Sequence, residues 1–212
     1  MSDFAVRATP IILLAGGKST RMGRDKTQLE YEGETLLKRA FRRFSEHFAH
    51  VYVSVASPQT QLAGIPPECL LTDVLPNLGP MSGLHAALSR FDAAFLVAVD
   101  MPLAEPQLAA RIINAAAAPQ SPAEAYSAVH GGAYAPFVVA ATTDGKAEPT
   151  FSFYSRAVLT ELNAAIERGD YSINRLLKQV PTRYLEVPRD TLLNVNYPQD
   201  YEKLLAKSDK NV

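Results

Sequence analysis

One stretch near the N-terminus combines the residue types that bind phosphate groups. Residues 11–15 form an apolar run that is long enough for a buried strand and too short for a buried helix. Glycines and cations follow at once: Gly16, Gly17, Lys18, Ser19, Thr20, Arg21, Gly23, Arg24 and Lys26. Glycines let a backbone turn sharply and approach a ligand, and backbone N–H groups beside cations form an anion-binding concavity. The stretch therefore predicts a phosphate site at the carboxyl edge of a sheet.

Two widespread phosphate-binding motifs do not match this stretch. Gly17-Lys18-Ser19 resembles the end of a P-loop, but the opening glycine of that motif would have to stand at Ile12. The dinucleotide-binding pattern G-x-G-x-x-G has no match. The loop therefore belongs to neither class.

Two aspartates follow other predicted strands. Residues 70–73 and 93–99 are predicted strands, with Asp73 ending the first and Asp100 following the second. A carboxylate at the end of a buried strand is held in a fixed place, and Mg²⁺ takes one or two protein oxygens of this kind. Asp100 is therefore the candidate metal ligand. Asp73 is a candidate hydrogen-bond acceptor for N–H or O–H groups of a ligand.

The remaining pattern alternates strands and helices. Helices are predicted from about residues 35, 80, 106, 155, 172 and 198, with further strands at 50–55, 136–141, 150–154 and 183–187. Residues 115–132 form an Ala-, Pro- and Gly-rich excursion without an assigned role. The near-continuous apolar strands predict one α/β domain over residues 1–212. Its expected architecture is a three-layer, mostly parallel, Rossmann-like sheet with helices on both faces.

Composition limits the classes of partner. The chain has 212 residues and a formal charge of −1, which argues against broad attraction to nucleic acids or membranes. Its one cysteine, Cys69, excludes an internal disulfide and fits a reducing compartment. No apolar run approaches the roughly 20 residues of a membrane span, and no signal-type segment begins the chain. We expect a soluble, cytoplasmic protein.

The phosphate-binding stretch carries a family resemblance. L-A-G-G-x-S-x-R-M-G-x-D-K resembles the signature of nucleotidyltransferases that join a nucleoside triphosphate to a phosphorylated acceptor. Leu14-Ala15-Gly16-Gly17 and Gly79-Pro80-Met81-Ser82-Gly83 resemble segments of the molybdenum cofactor guanylyltransferases. Residues 194–200 resemble the closing motif N-V-N-T-P-E-D of that family, with Tyr197 and Gln199 substituted. The resemblance covers nearly the whole chain.

This resemblance implies a reaction and a set of partners. The enzyme would transfer GMP from GTP to the terminal phosphate of molybdopterin, the organic part of the molybdenum cofactor, and release pyrophosphate. It implies Mg²⁺ as cofactor, a fold of the nucleotide-diphospho-sugar transferase type, and chaperones specific for molybdoenzymes as further partners.

The resemblance also implies roles for individual residues. The expected catalytic residues are Arg21, Lys26 and Asp100. Asp100 and Asn196 are the expected metal ligands. Asn194, Asn196 and Arg175 are expected at the acceptor site. The residues expected to bind GTP are Leu14, Ala15, Gly16, Gly17, Lys26, Asp73, Gly79 and Asp100.

Several positions depart from the family pattern and leave alternatives open. Glu148-Pro149 stands where a His-Pro pair is common, and Ser54 lies in the segment that often has an asparagine. Tyr171 and Ser172 replace arginines found in some members. The alternatives are a cytidylyltransferase on the same acceptor, a sugar- or polyol-phosphate nucleotidyltransferase, and a non-catalytic nucleotide-binding module. The joint presence of Arg21, Lys26 and Asp100 favours an enzyme.

Overall fold

A computed structural model describes residues 6, 8–15, 29–75, 77–117 and 137–208. Within them the strands are β1 (Ile11–Leu14), β2 (Glu30–Tyr31), β3 (Glu34–Thr35), β4 (Val51–Val55), β5 (Leu70–Thr72), β6 (Ala93–Ala98), β7 (Val138–Thr143), β8 (Lys146–Ser155) and β9 (Thr182–Glu186). The α-helices are α1 (Leu36–Ser45), α2 (Pro80–Arg90), α3 (Pro106–Ala117), α4 (Leu159–Glu167), α5 (Ile173–Gln179) and α6 (Pro198–Ser208). These elements confirm the predicted order.

The main sheet has seven strands in the order β5-β4-β1-β6-β8-β7-β9. All of them run parallel except β8, which is antiparallel to both β6 and β7. From β1 the chain moves outward to β4 and β5, and then returns to place β6 on the other side of β1. The direction of winding thus reverses at β1, and ligands of open α/β sheets bind at the carboxyl end of such a reversal point.

Both faces of the sheet are covered, which explains the uninterrupted apolar sequence of β1. Ile11 and Leu13 belong to a core with residues of α1, α3 and α6. Ile12 and Leu14 belong to a second core with residues of α2, α4 and α5. Because successive side chains of a strand point to opposite faces, a strand between two helix layers must be apolar at every position. The predicted three-layer, mostly parallel α/β fold is confirmed.

Helix starts follow from local sequence chemistry. The Thr35 side chain caps α1 by accepting a hydrogen bond from the Lys38 backbone N–H at 3.3 Å. Ser172 caps α5 in the same way, through the Arg175 N–H at 3.3 Å. Proline is the first residue of α2, α3 and α6, where its fixed φ suits a helix and its missing N–H costs no helical hydrogen bond.

A bulge in β8 changes the course of the strand near its beginning. The pairing with β7 passes from Ala140–Ser152 directly to Ala141–Glu148. The Ser152 hydroxyl donates to the Glu148 carbonyl at 2.7 Å, and the Tyr154 hydroxyl donates to the Pro149 carbonyl at 2.7 Å. Both side chains are completely buried. The bulge is therefore fixed from inside the core, and bulges of this kind redirect side chains.

The Tyr154 hydroxyl should contribute measurably to stability. Tyr154→Phe leaves the buried Pro149 carbonyl without this donor, which should lower the free energy of unfolding by about 1–3 kcal/mol. Urea denaturation measures the change. Tyr184→Phe is the control, because the Tyr184 ring is 51% exposed and its change should stay within about 0.5 kcal/mol. Equal effects in the two variants would contradict the role assigned to the buried bond.

Candidate active site

The site is centred on the carboxyl end of β1. The Leu14 carbonyl accepts a hydrogen bond from the Val99 N–H at 3.4 Å, so the ends of β1 and β6 lie side by side. Ala15, which follows Leu14, is half-buried. The other loop residues predicted to act here, Gly16, Gly17, Arg21 and Lys26, lie outside the described residues, and their roles stay predictions.

Asp73 leaves the sheet two strands away from β1 and is held at two points. Its backbone N–H donates to the Val55 carbonyl at 2.8 Å. Its carboxylate oxygen Oδ1 accepts a hydrogen bond from the Ser54 hydroxyl at 2.6 Å. A carboxylate has about four acceptor positions, so this contact leaves others for N–H or O–H groups of a ligand. Ser54 thus orients the carboxylate that the sequence predicts for nucleoside binding.

The environment of Asp73 changes its acidity. Burial raises the pKa of this carboxyl group, and the hydrogen bond from Ser54 offsets part of the effect. Burial acts this way because a less polar surrounding disfavours the charged form. Asp73 is therefore a half-buried, oriented acceptor and has no cation among its hydrogen-bond partners in the described part of the chain.

The start of α2 packs tightly against the same edge. A Cβ atom added to Gly83 would lie 2.6 Å from Leu14 Cδ2 and 2.7 Å from Ser54 Oγ. Only glycine allows this approach, which confirms the predicted close packing at Gly83. Gly79, which caps α2, has φ 61° and ψ −139°, a conformation that side chains disfavour. Its contact with a nucleotide stays a prediction.

Asp100 lies in a turn that other segments fix in place. The turn after β6 is closed by the Met101 N–H, which donates to the Ala98 carbonyl at 3.1 Å. The Asp100 carbonyl accepts from the Val195 N–H at 2.8 Å. The Arg43 guanidinium, from α1, donates to the Pro102 and Ala104 carbonyls, both at 3.1 Å. The Asp100 atom Oδ1 is inaccessible to solvent.

The closing motif is brought to Asp100 by the bond from Val195. Asn194 and Asn196, its two neighbours in sequence, therefore lie at the same edge as Asp100. Asp200 fixes the following turn by accepting from the backbone N–H groups of Asn196 at 3.2 Å and Tyr197 at 3.0 Å. This places the predicted metal ligands, Asp100 and Asn196, close together in the fold.

Glu148 is a second carboxylate at this position, and the sequence reasoning did not assign it a role. Its Oε2 accepts from Asn194 Nδ2 at 3.5 Å, and its Oε1 accepts from Thr143 Oγ1 at 3.4 Å. Burial raises the pKa of Glu148, the two hydrogen bonds lower it, and the charge of Asp100 raises it further. Its proximity to Asp100 depends on the β8 bulge and on the position of β8 beside β6, which local sequence patterns do not reveal.

Arg175 is not part of this group. Its guanidinium Nε lies 2.9 and 2.8 Å from the two carboxylate oxygens of Asp170, and Nη2 lies 2.6 Å from Oδ1. The pairing with Arg175 lowers the pKa of Asp170 to about 2. Within the described part of the chain, no hydrogen bond of Arg175 reaches Asn194 or Asn196. The acceptor role predicted for Arg175 stays a prediction.

The oxygens at this edge fit Mg²⁺ bound together with a phosphorylated ligand. Mg²⁺ prefers carboxylate and carbonyl oxygens, and it usually keeps few protein ligands and fills the rest with water and phosphate. Asp100 and Asn196 provide a carboxylate and an amide oxygen of the required type. Among the described residues, no group of three or more His, Cys, Asp and Glu side chains could hold a metal ion.

Comparison with known proteins identifies the fold and the family. A structure of molybdopterin-guanine dinucleotide biosynthesis protein A from Archaeoglobus fulgidus has the same fold, with a TM-score of 0.74 and 20% identity over 95% of this chain and all of that chain. The class of the chain, nucleotidyltransferase, follows from its match to a family model. The family model of the MobA-like NTP transferase domain matches residues 11–186, and the chain belongs to this family.

Relatives of similar length support this membership. A molybdenum cofactor guanylyltransferase from Rhizobium johnstonii is 28% identical, with 94% of each chain covered. A protein of the same name from Campylobacter jejuni is 26% identical, with 92% of this chain and 95% of the relative covered. The prediction that the chain is a nucleotidyltransferase enzyme is confirmed.

Across the described ranges, no helix is long and apolar enough to cross a membrane.

The raised pKa of Asp73 predicts how stability depends on pH. Because the folded pKa lies above the unfolded one, the charged form costs stability once the pH exceeds both values. Asp73→Asn removes this cost and leaves an amide oxygen that can still accept from Ser54. The variant should therefore be more stable than wild type at pH 7, with the gain disappearing below about pH 3.9, the ordinary aspartate pKa.

Urea denaturation at pH 7 and at pH 3.5 measures this difference. Asp92→Asn is the matched control, because the Asp92 side chain is 96% exposed and pairs with Arg156 at 3.0 Å. It should not gain stability at pH 7. A loss of stability in Asp73→Asn at pH 7 would contradict the cost assigned to the buried charge of Asp73.

Proposed function

We propose that the chain is a molybdenum cofactor guanylyltransferase, which transfers GMP from GTP to the terminal phosphate of molybdopterin. The observation that carries the proposal is the arrangement of Asp73 and Asp100 on opposite sides of the end of β1. A nucleotide lying across this end would meet an oriented acceptor on one side. On the other side it would meet a carboxylate suited to a metal ion.

Two features favour guanine and molybdopterin within the family. Relatives from Rhizobium johnstonii and Campylobacter jejuni are named molybdenum cofactor guanylyltransferases, and they match this chain over almost their whole length. The segments L-A-G-G at residues 14–17 and G-P-M-S-G at residues 79–83 are those expected of guanylyltransferases. Cytidylyltransferases acting on the same acceptor usually have L-A-A-G in the first segment.

The nucleoside would lie on the Asp73 side. Guanine presents N1–H and N2–H₂ donors, so its pocket requires acceptors. The Asp73 carboxylate, oriented by Ser54, would accept from the base or from the ribose. The backbone carbonyls of Leu14 and Ala15 would supply further acceptors, and Gly79 would let the backbone approach the nucleotide.

The triphosphate would lie on the loop after β1. The backbone N–H groups of Gly16 and Gly17 would bind phosphate oxygens. Arg21 suits bidentate contact with phosphate, and Lys26 would place a point charge at the α-phosphate. Such positioning and charge stabilisation supply most of the catalysis in transfers of this type.

Asp100 and Asn196 would hold Mg²⁺, and Asn194, Asn196 and Arg175 would receive the acceptor. When bound, Mg²⁺ would neutralise charge on the triphosphate and on the leaving pyrophosphate. An oxygen of the molybdopterin phosphate attacks the α-phosphorus of GTP. A new P–O–P bond forms while the bond from the α-phosphorus to the β-phosphate oxygen breaks, and pyrophosphate leaves. We further propose that the protein is cytoplasmic and delivers its product through chaperones specific for molybdoenzymes.

Turnover tests the proposal directly. With molybdopterin, Mg²⁺ and GTP labelled at the α-phosphate, the protein should form one guanine dinucleotide for each pyrophosphate released. Asp100→Asn should lower kcat/KM by roughly 10²-fold or more, since it weakens charge stabilisation in the transition state. Asp92→Asn is the control and should stay within about twofold.

Assays with other nucleotides and other acceptors test the alternative functions. Turnover with CTP in place of GTP would assign the chain to the cytidylyl branch. Turnover only with a sugar phosphate or polyol phosphate would show that this compound, and not molybdopterin, is the acceptor. No turnover with any of these substrates would contradict the proposed enzyme.

A further inference from the structure

Arg43, on α1, is a half-buried cation without a carboxylate partner. Two other arginines of this helix form close ion pairs, Arg39 with Glu32 and Arg42 with Glu34, each at 2.6 Å. Among the described residues, Arg43 forms no such pair. No carboxylate of the described part of the chain therefore neutralises its charge at close range.

The surroundings of Arg43 are unfavourable for a charge. Burial lowers the pKa of Arg43, the charge of Arg39 acts in the same direction, and the charge of Glu105 offsets part of the effect. A guanidinium nonetheless stays protonated in proteins, so the folded chain retains a partly desolvated cation. Such a cation costs stability unless its donors are bonded. The bonds that Arg43 forms therefore indicate what its charge does in the fold.

The guanidinium of Arg43 bonds to one segment, which lies between β6 and α3. Its Nη1 donates to the carbonyls of Pro102 and Ala104, both at 3.1 Å and about 60 residues away in sequence. Hydrogen bonds from a charged donor are stronger than those between neutral groups. Because Ala104 is buried, water is a poor substitute for the guanidinium there. Arg43 therefore fixes the course of the chain in this segment.

The same segment contains Asp100, two residues before Pro102. Within it, the Ala104 N–H donates to the Met101 carbonyl at 3.1 Å, and from the closing motif the Val195 N–H donates to the Asp100 carbonyl at 2.8 Å. The segment is thus held between the closing motif on one side and α1 on the other. Without the α1 contact it could shift, and a displacement of about 1 Å at a reacting group can lower a rate by roughly 10²-fold.

We propose that Arg43 is a positioning residue for Asp100, because its guanidinium fixes the segment that carries this carboxylate. This inference rests on the proposed function, since that function gives Asp100 its task. Arg43 acts through the backbone, and within the described ranges none of its hydrogen bonds reaches Asp73 or β4. Its loss should therefore affect the transfer step more than the binding of GTP.

Steady-state kinetics with GTP, Mg²⁺ and saturating molybdopterin test the proposal. Arg43→Met keeps the length of the side chain but has no donor, so kcat should fall by roughly tenfold or more while KM for GTP changes less than about threefold. Arg43→Lys, whose ammonium can donate to both carbonyls, should restore kcat to within about threefold of wild type. Arg42→Met is the matched control, because the Arg42 side chain is 48% exposed, and its kcat should change less than about twofold.

A double-mutant cycle separates positioning from a general structural role. If Arg43 acts through Asp100, adding Arg43→Met to Asp100→Asn should lower kcat by less than about twofold, since the group that Arg43 positions is already impaired. All kinetics are measured well below the melting temperature of each variant. Arg43→Gln, which keeps one amide donor group, replaces Arg43→Met if that variant does not fold, with a kcat roughly threefold or more below wild type and the same dependence on Asp100.

Three results would overturn the inference. The first is a lower melting temperature in Arg43→Met with unchanged kcat, which would make Arg43 a purely structural residue. The second is full, multiplicative loss of kcat in the double variant. The third is normal turnover in Arg43→Met while Asp100→Asn is impaired, in which case the proposed function stands. If wild type forms no guanine dinucleotide, the proposed function fails and takes the inference with it.

Discussion

The burial of β1 between two helix layers is the constraint on which the site depends. The strand has only the four residues Ile11–Leu14, and it forms hydrogen-bonded pairs with β4 on one side and β6 on the other. It cannot shift without breaking both pairings and both cores. Ala15, the last described residue of this segment, is therefore held at one fixed point, between the strands that lead to Asp73 and Asp100. The contact of Gly83 with Leu14 and Ser54 ties α2 to the same point.

The three carboxylates at this edge differ in what surrounds them. Asp73 has one hydroxyl donor at 2.6 Å and a half-buried position, which suits recognition of neutral N–H and O–H groups. Glu148 lies near Asp100, because its carboxylate accepts from Asn194 and the next residue, Val195, donates to the Asp100 carbonyl. In the proposed function, the site would separate a region for the uncharged nucleoside from a region for the phosphate groups. Such a division is what a reaction between two polyanions requires.

Much of this arrangement could be predicted from the sequence because it depends on local signals. The apolar runs before Asp73 and Asp100 predict two strands whose carboxyl ends meet at one edge of the sheet. Gly83, inside a predicted helix, predicts the close packing of α2. Glu148 could not be found in this way. Its position depends on which strand lies beside β6 and on a bulge held by Ser152 and Tyr154, and both are properties of tertiary structure.

Two other residues have side-chain partners that local sequence patterns do not predict. Arg175 is predicted at the acceptor site, and the structure adds that Asp170, five residues earlier, pairs with its guanidinium. Ser54 lies in the segment that often has an asparagine in the family, and in the structure its hydroxyl donates to Asp73. In both cases the role of the side chain depends on a partner whose distance and direction appear only in the folded chain.

The central claim is that the Asp73 side of the β1 end selects guanine. Calorimetric titration of GTP, CTP, ATP and UTP, each with Mg²⁺, into wild type and Asp73→Ala tests it most directly. Tighter binding of GTP than of the other three, with the preference reduced at least tenfold in Asp73→Ala and kept in Asp92→Ala, is the expected result, since unpaired polar groups strongly penalise the wrong ligand. Equal binding of all four triphosphates, or a GTP preference that survives in Asp73→Ala, would contradict the account.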